Sequence, residues 1–194
     1  MIKKNKFLSF FILILFSFSL AAEDSSKSAS DYFVLAEKEI EEENWYSAYQ
    51  YLLETVTKNP DYQKAWFLLA ECSYQLDEFA LTLSYLENAE KYFPSDSKIL
   101  TLRGMTYISL GKTLEAEKIF DEVLKIYPND VTARFGRAEL FLLNGKYTAA
   151  EKEYENALFR EISNRKALLS LALLLGKQGK YKEAQEYIQK ALNF

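Results

Sequence analysis

The only three prolines in the chain, Pro60, Pro94 and Pro128, stand 34 residues apart. A rare residue returning at a fixed interval marks a chain built from tandem units. A period of roughly 20–50 residues belongs to arrays of small supersecondary structures stacked side by side. Gly111, Gly145 and Gly179 keep the same interval, as do Ala48, Ala116, Ala150 and Ala184, with Thr82 in the second slot. Glycine accepts the left-handed backbone that ends a helix, and proline stops one because its missing N–H cannot serve the next turn. Each period therefore reads as a helix, a glycine turn, a second helix and a proline stop.

Placing each proline third from the end of its unit gives repeats at 29–62, 63–96, 97–130, 131–164 and 165–194. Small residues recur at the eighth position (Ala36, Ala70, Gly104, Ala138, Ala172) and at the twentieth, where two helices of a hairpin can approach closely. Asp61, Asp96, Asp130 and Asn164 are expected to cap the helix that follows each of them, since a short polar side chain can accept from an orphan N–H of the first turn. In the fourth unit Ile162 takes the place of proline, and Ser163-Asn164 supplies the stop. Five units exceed the roughly three that a stacked array needs to bury a continuous core.

The units also share a residue pattern. The second reads Trp66, Leu69, Ala70, Ser73, Thr82, Leu86, Ala89, Pro94, and the third Leu100, Arg103, Gly104, Tyr107, Ala116, Phe120, Val123, Pro128. The fourth offers Arg134, Arg137, Ala138, Phe141, Ala150, Tyr154 and Ala157; the first and fifth carry the same small and apolar slots. This resembles the tetratricopeptide repeat signature, W-x2-L-G-x2-Y followed by alanine, an aromatic and proline. The resemblance implies an all-α solenoid of five helix-turn-helix repeats, wound as a right-handed superhelix over residues 31–194. It also implies a protein-interaction scaffold rather than an enzyme.

Residues 1–22 read differently. Lys3, Lys4 and Lys6 precede an unbroken run of apolar residues and serines from Phe7 to Leu20, then Ala21-Ala22 and a switch to Glu23-Asp24. This is the layout of a signal peptide cleaved after Ala21 or Ala22. An uncleaved anchor is the alternative, although a bilayer asks for about 17–25 apolar residues in a helix. Either way the repeats are expected outside the cytoplasm, in a periplasm or cell envelope. Residues 23–30, polar and serine-rich, read as a flexible tether. The single cysteine, Cys72, lies inside a helix of the second unit and has no intramolecular disulfide partner.

Without Lys3, Lys4 and Lys6 the 24 basic residues fall to 21 against 28 acidic ones. That balance leaves no basic patch for nucleic acid. The chain has no histidine, which removes the usual general base and the commonest metal ligand. No glycine sits in a phosphate-cradling loop, and the run Glu37, Glu39, Glu41, Glu42, Glu43 reads as a solvated helix face. No catalytic residue, metal or cofactor is expected. Arg103 and Arg137 fall at a normally apolar position; their stems should line the hairpin while the guanidinium groups reach neighbouring acids. The rival reading makes them anchors for an acidic ligand.

The resemblance implies that the first helix of each repeat lines a concave groove, chiefly through its second, fifth, ninth and twelfth positions. The candidate partner-binding residues are then Phe33, Glu37, Lys64, Phe67, Glu71, Tyr74, Lys98, Met105, Ile108, Phe135, Glu139 and Leu142. Aromatic anchors with a polar rim suit a peptide-binding surface, with the glutamates meeting basic residues of the partner. The family's two-carboxylate clamp for chaperone tails needs Lys and Asn at the fifth and ninth positions. Phe and Glu stand there instead, so that ligand is not implied.

Other roles compatible with the pattern are a carrier of a hydrophobic small molecule or exported substrate, and an assembly subunit of a secretion or outer-membrane complex. At the last repeat, Leu171, Leu175, Tyr187 and Ile188 are expected to stand partly bare and to support self-association or docking. Intact-mass measurement of the exported protein should find Ala22 or Glu23 at its N-terminus; a chain retaining residues 1–22 would overturn the cleavage reading.

Overall fold

A computed structural model describes residues 27–161 and 164–194. The expected signal segment and residues 23–26 of the expected tether lie outside the described residues. Among the described residues ten helices follow in order, α1 (Ala29–Glu41), α2 (Trp45–Lys58), α3 (Gln63–Gln75), α4 (Phe79–Tyr92), α5 (Ser97–Ser109), α6 (Thr113–Ile126), α7 (Val131–Leu143), α8 (Tyr147–Arg160), α9 (Arg165–Lys177) and α10 (Tyr181–Leu192). They are the two helices of each of the five expected units. The chain divides into two compact units, one ending at Cys72 and the other Ser73–Phe194, with the division inside α3. In the first, α1 packs on α2; in the second, α5 packs on α6, α7 on α8 and α9 on α10, and each hairpin meets the next.

The helix starts follow local chemistry. The Ser28 hydroxyl accepts from the Asp31 N–H, while the Asp31 carboxylate accepts from the Ser28 N–H at 2.7 Å. This capping box satisfies two orphan donors and starts α1 at Ala29, inside the stretch read as tether. Asp96 accepts from the Lys98 and Ile99 N–H groups, Asp130 from Ala133 N–H at 2.8 Å, and Asn164 from Ala167 N–H at 3.0 Å. At α3 the register differs. Since α3 begins at Gln63, the residue in register with Asp96 is Tyr62, and Asp61 lies one position earlier.

The turn between paired helices is imposed by the frame rather than by glycine. Gly111, Gly145 and Gly179 have φ of +72°, +70° and +77°, and at the same register Glu43 and Asp77 adopt +57° and +60°. A residue with a Cβ gives up about 1–2 kcal/mol to sit there. In the first hairpin Glu43 accepts that cost so that α2 can fold back on α1.

Packing centres on the bulky residue at the twenty-fourth position, where Leu52, Leu86, Phe120 and Tyr154 are all fully buried. Around Phe120 the fit is closest. A Cβ on Gly104 of α5 would stand 2.7 Å from its ring, and one on Gly136 of α7 only 2.4 Å away. The ring of α6 is thus held between a glycine of its own hairpin and a glycine of the next.

Several polar substitutions in the pattern are satisfied locally, although the buried Thr101 hydroxyl has no hydrogen-bond partner. The Trp66 indole N–H donates to the Pro60 carbonyl at 2.9 Å, and Arg134, at the same register two units on, donates to the Pro128 carbonyl at 2.7 Å. Thr82 replaces alanine and Ser73 replaces an aromatic, yet their buried hydroxyls lie 3.0 Å apart and Thr82 donates onward to the Glu78 carbonyl. Cys72 is fully buried, and desolvation, followed by the Glu71 charge, pushes its thiol up to about 12. It is inert at neutral pH. Lys180 and Gln178 reach back to Glu151 of α8, and the Lys180 hydrogen bond above all holds that carboxyl below its ordinary range. The lowered carboxyl contributes stability at neutral pH, lost as pH falls through its folded value.

These contacts separate two classes of glycine. Gly136→Ala should destabilise by about 1–3 kcal/mol, because the new methyl has to displace a fully buried ring. Gly145→Ala meets no atom within 4 Å and should cost about 1 kcal/mol through backbone conformation alone. Phe120→Ala should cost about 3–5 kcal/mol. Urea denaturation of the three variants checks the order.

Candidate functional site

The candidate residues lie on the first helix of each pair, and burial sorts them. In the unit ending at Cys72, Phe33 is buried, with its ring centroid 4.6 Å from that of Tyr62. Phe67 and Glu71 are half-buried, and Glu37 and Lys64 are exposed. This face offers one accessible aromatic edge among charges of both signs.

In Ser73–Phe194 the inner helices α5, α7 and α9 present the fifth, ninth and twelfth positions. Their third and tenth positions, Ile99 and Thr106, Ala133 and Leu140, Ala167 and Leu174, are buried. Met105, Ile108 and Leu142 are half-buried, Tyr74 is half-buried with its hydroxyl 3.4 Å from that of Ser109, and Lys98 is exposed. Met105 and Leu142 pack against the same apolar cluster, so these two side chains share a surface. Leu169 and Leu173, at the fifth and ninth positions of α9, are 44% and 59% exposed. They are the most accessible apolar groups of the series. The signal was in the register itself, but a leucine in a leucine-rich helix gives no sequence cue that it faces outward.

Phe135 does not stand free. It is buried, its ring lies 5.8 Å from that of Tyr154, and the Lys166 ammonium of α9 sits 5.0 Å from its centroid. The Tyr154 hydroxyl donates to the Glu139 carboxylate at 2.6 Å. Burial first, then that carboxylate, raises the phenol above its ordinary range, so it stays a donor. Phe135 and Glu139 thus serve as wall and brace on this surface, and the accessible apolar contacts come from their neighbours.

The arginines are structural. Arg103 forks onto Glu90 with contacts of 2.7 and 3.3 Å. Arg137 bridges Asp121 at 3.0 Å and Glu153 at 2.8 Å, while Arg134 also holds Glu153 at 3.0 Å. Glu153 is buried between the two guanidinium groups. These are the neighbouring acids expected for Arg103 and Arg137, and they tie α4 to α5 and both α6 and α8 to α7. Among the described residues no group of His, Cys, Asp and Glu is placed to hold a metal ion, and no helix is long and apolar enough to cross a membrane.

The last repeat corrects one expectation. Leu171 and Leu175 are buried in the cluster with Tyr154, Leu158 and Ala167, and Tyr187 packs against it. Of the four residues expected to stand partly bare, Ile188 is exposed and Tyr187 half-buried; Tyr181, Leu192 and Phe194 are exposed near them in sequence. The reason is that α9 is not an edge helix, since it is packed between α8 and α10.

Comparison with known proteins supports the same architecture. Tetratricopeptide repeat models match residues 82–131, 101–165 and 166–194. No curated protein sequence matches the chain. Among solved structures, TTC0263, a thermophilic tetratricopeptide repeat protein of Thermus thermophilus, is similar at 18% identity and TM-score 0.77, covering 86% of this chain and 91% of that one. A chain of the APC/C hetero-tetramer Cut9–Hcn1 is similar at 16% identity and TM-score 0.78, covering 85% of this chain and 33% of that one. MamA of Desulfovibrio magneticus RS-1 follows at 13% identity and TM-score 0.62, covering 85% and 93%. The chain belongs to the tetratricopeptide repeat family and folds as an all-α solenoid. This is the fold of protein–protein interaction scaffolds, which are typically not enzymes.

Glu153→Ala should destabilise the protein by about 3–5 kcal/mol, because it leaves two partly buried guanidinium groups without their shared acid. Thermal unfolding measures it; a loss below about 1 kcal/mol would place the network with surface ion pairs.

Proposed function

We propose that this protein is a non-enzymatic adaptor of a bacterial cell envelope, binding a segment of a partner protein on the inner helices of Ser73–Phe194. The observation that carries the reading is the split across α5, α7 and α9. One face is fully consumed in packing, while Met105, Ile108, Leu142, Leu169 and Leu173 keep apolar surface accessible. Exposed apolar groups on a rigid, helical framework, edged by Lys98 and Lys166, suit a helix or extended segment that supplies its own apolar anchors. The export layout of residues 1–22 supports an envelope location. The Cut9–Hcn1 assembly, a hetero-tetramer, is a precedent among similar folds for engagement with another protein.

Affinity capture from the envelope of the producing cell, comparing the native chain with a Leu142→Lys, Leu173→Lys variant, tests this. Leu173 is exposed and Leu142 half-buried against the core, so the variant's melting is compared with the parent's before capture, and a Leu173→Lys single variant serves as the check on folding. A partner held by the parent and lost by the variant is expected, with affinity in the purified pair down at least about tenfold, or 1.4 kcal/mol. An identical set of captured proteins would overturn the assignment of this surface.

A further inference from the structure

The chain as a whole is acidic, with 28 Asp and Glu against 24 Lys and Arg, yet its charges are not spread evenly over Ser73–Phe194. The second helices of the pairs, α4, α6 and α8, each carry more acids than bases, and α10 carries as many of one as of the other. The inner helices reverse that balance. No acid stands in α5 or α9, and α7 carries Glu139 alone. Glu139 already accepts from the Tyr154 hydroxyl, and the carboxylates of Asp96 and Asp130 are occupied by the backbone N–H groups they cap.

The bases of the same three helices fall into two sets. Arg103, Arg134 and Arg137 are held by Glu90, Asp121 and Glu153. Lys98, Arg165, Lys166 and Lys177 are exposed, and none of them is ion-paired among the described residues. Lys98, Arg165 and Lys166 stand in the first turn of α5 or α9, where the helix dipole favours an acid. Helix stability therefore does not account for them. Around α9, Lys166, Leu173 and Lys177 fall within about 40° of one another. An exposed leucine thus stands between two ammonium groups on one stripe, and Lys98 and Met105 repeat its first two positions on α5.

We infer that the inner surface takes an acidic segment, a stretch of a partner protein in which Asp or Glu flanks an aliphatic or aromatic anchor. The inference rests on the reading of these helices as a docking surface and adds the sign of the partner's charge. The anchor covers Leu169 and Leu173, while the flanking carboxylates meet Lys98, Lys166 and Lys177. Charges at such an edge steer encounter and reject partners of the wrong sign, so a basic segment is excluded. A nucleic acid fits poorly, because a few bases interrupted by leucines would neutralise few phosphates. The bases stand at the first, second and thirteenth positions of their units, not at the fifth and ninth of the family's clamp. Nothing in the arrangement calls for a free carboxyl terminus.

The test is selection of random dodecapeptides, displayed on phage, against the full chain at low salt. The enriched pool should exceed the starting library in Asp and Glu placed beside Leu, Ile or Phe. A fluorescein-labelled member of that pool, titrated by fluorescence anisotropy, should weaken as salt is added. It should weaken at least about tenfold with Lys98→Glu, Lys166→Glu and Lys177→Glu combined. The same selection on that charge-reversed variant should enrich basic peptides, a gain that misfolding cannot produce. Leu169→Ser with Leu173→Ser, both at exposed positions, should abolish binding and so locate the peptides on the inner helices. Neutral or basic peptides that depend on those leucines would overturn the acidic inference and leave the docking surface standing. No enrichment, or peptides indifferent to the leucine substitutions, would overturn both. Binding to phosphatidylglycerol vesicles in place of peptides, lost in the charge-reversed variant, would assign the surface to an anionic bilayer and overturn the inference as well.

Discussion

The close seating of one large side chain between two small ones is the contact from which the rest of the molecule follows. Phe120 fits because Gly104 and Gly136 lack the carbon that would strike its ring. The first glycine lets α5 and α6 form a hairpin, and the second lets α7 lie across them. Interiors pack as densely as organic crystals, so a fit this close fixes the spacing of three helices at once. Elsewhere the same register is filled by Leu52, Leu86 and Tyr154, all fully buried, in units with alanine at the eighth position. Repetition of one solution carries the fold along the chain.

Charged groups are admitted to this framework only with partners in place. Glu153 is buried, which would be costly for a lone carboxylate, but Arg134 and Arg137 close on it from α7. Arg134 also replaces Trp66 as the donor to the carbonyl of the preceding unit's proline. A guanidinium has enough N–H groups to serve both acceptors, which an indole does not. Ser73 and Thr82 show the same economy, since two departures from the pattern meet and satisfy each other. The arginines are thus consumed by structure, and the groups that remain accessible on the inner helices are largely apolar.

Most of the architecture was legible in the chain. Helix number, hairpin pairing and the glycine turns follow from local rules repeated every 34 residues, and each repetition reinforces the last. The caps at Asp96, Asp130 and Asn164 were equally legible, because a capping side chain acts within three residues. Glu43 and Asp77 gave no sign of their positive φ, since the conformation is imposed by hairpin closure and not by the residue. The candidate site was legible in position but not in role. Phe33 and Phe135 stand at the expected register yet are covered, one beside Tyr62 and the other by Tyr154 and Lys166.

The sequence by itself determined the frame of this protein: five units, their helix ends and the small residues that allow close approach. These are properties of a residue and its near neighbours, and periodicity amplifies them. Only the tertiary structure decided which apolar side chains were used up in packing and which were left accessible. Leu171 and Leu173 lie two residues apart in one leucine-rich helix, and one is buried while the other is exposed. Likewise Ile188 repeats a position that is buried in every earlier unit. Accessibility depends on what lies across a residue, often a helix from the next unit, and no local pattern encodes that.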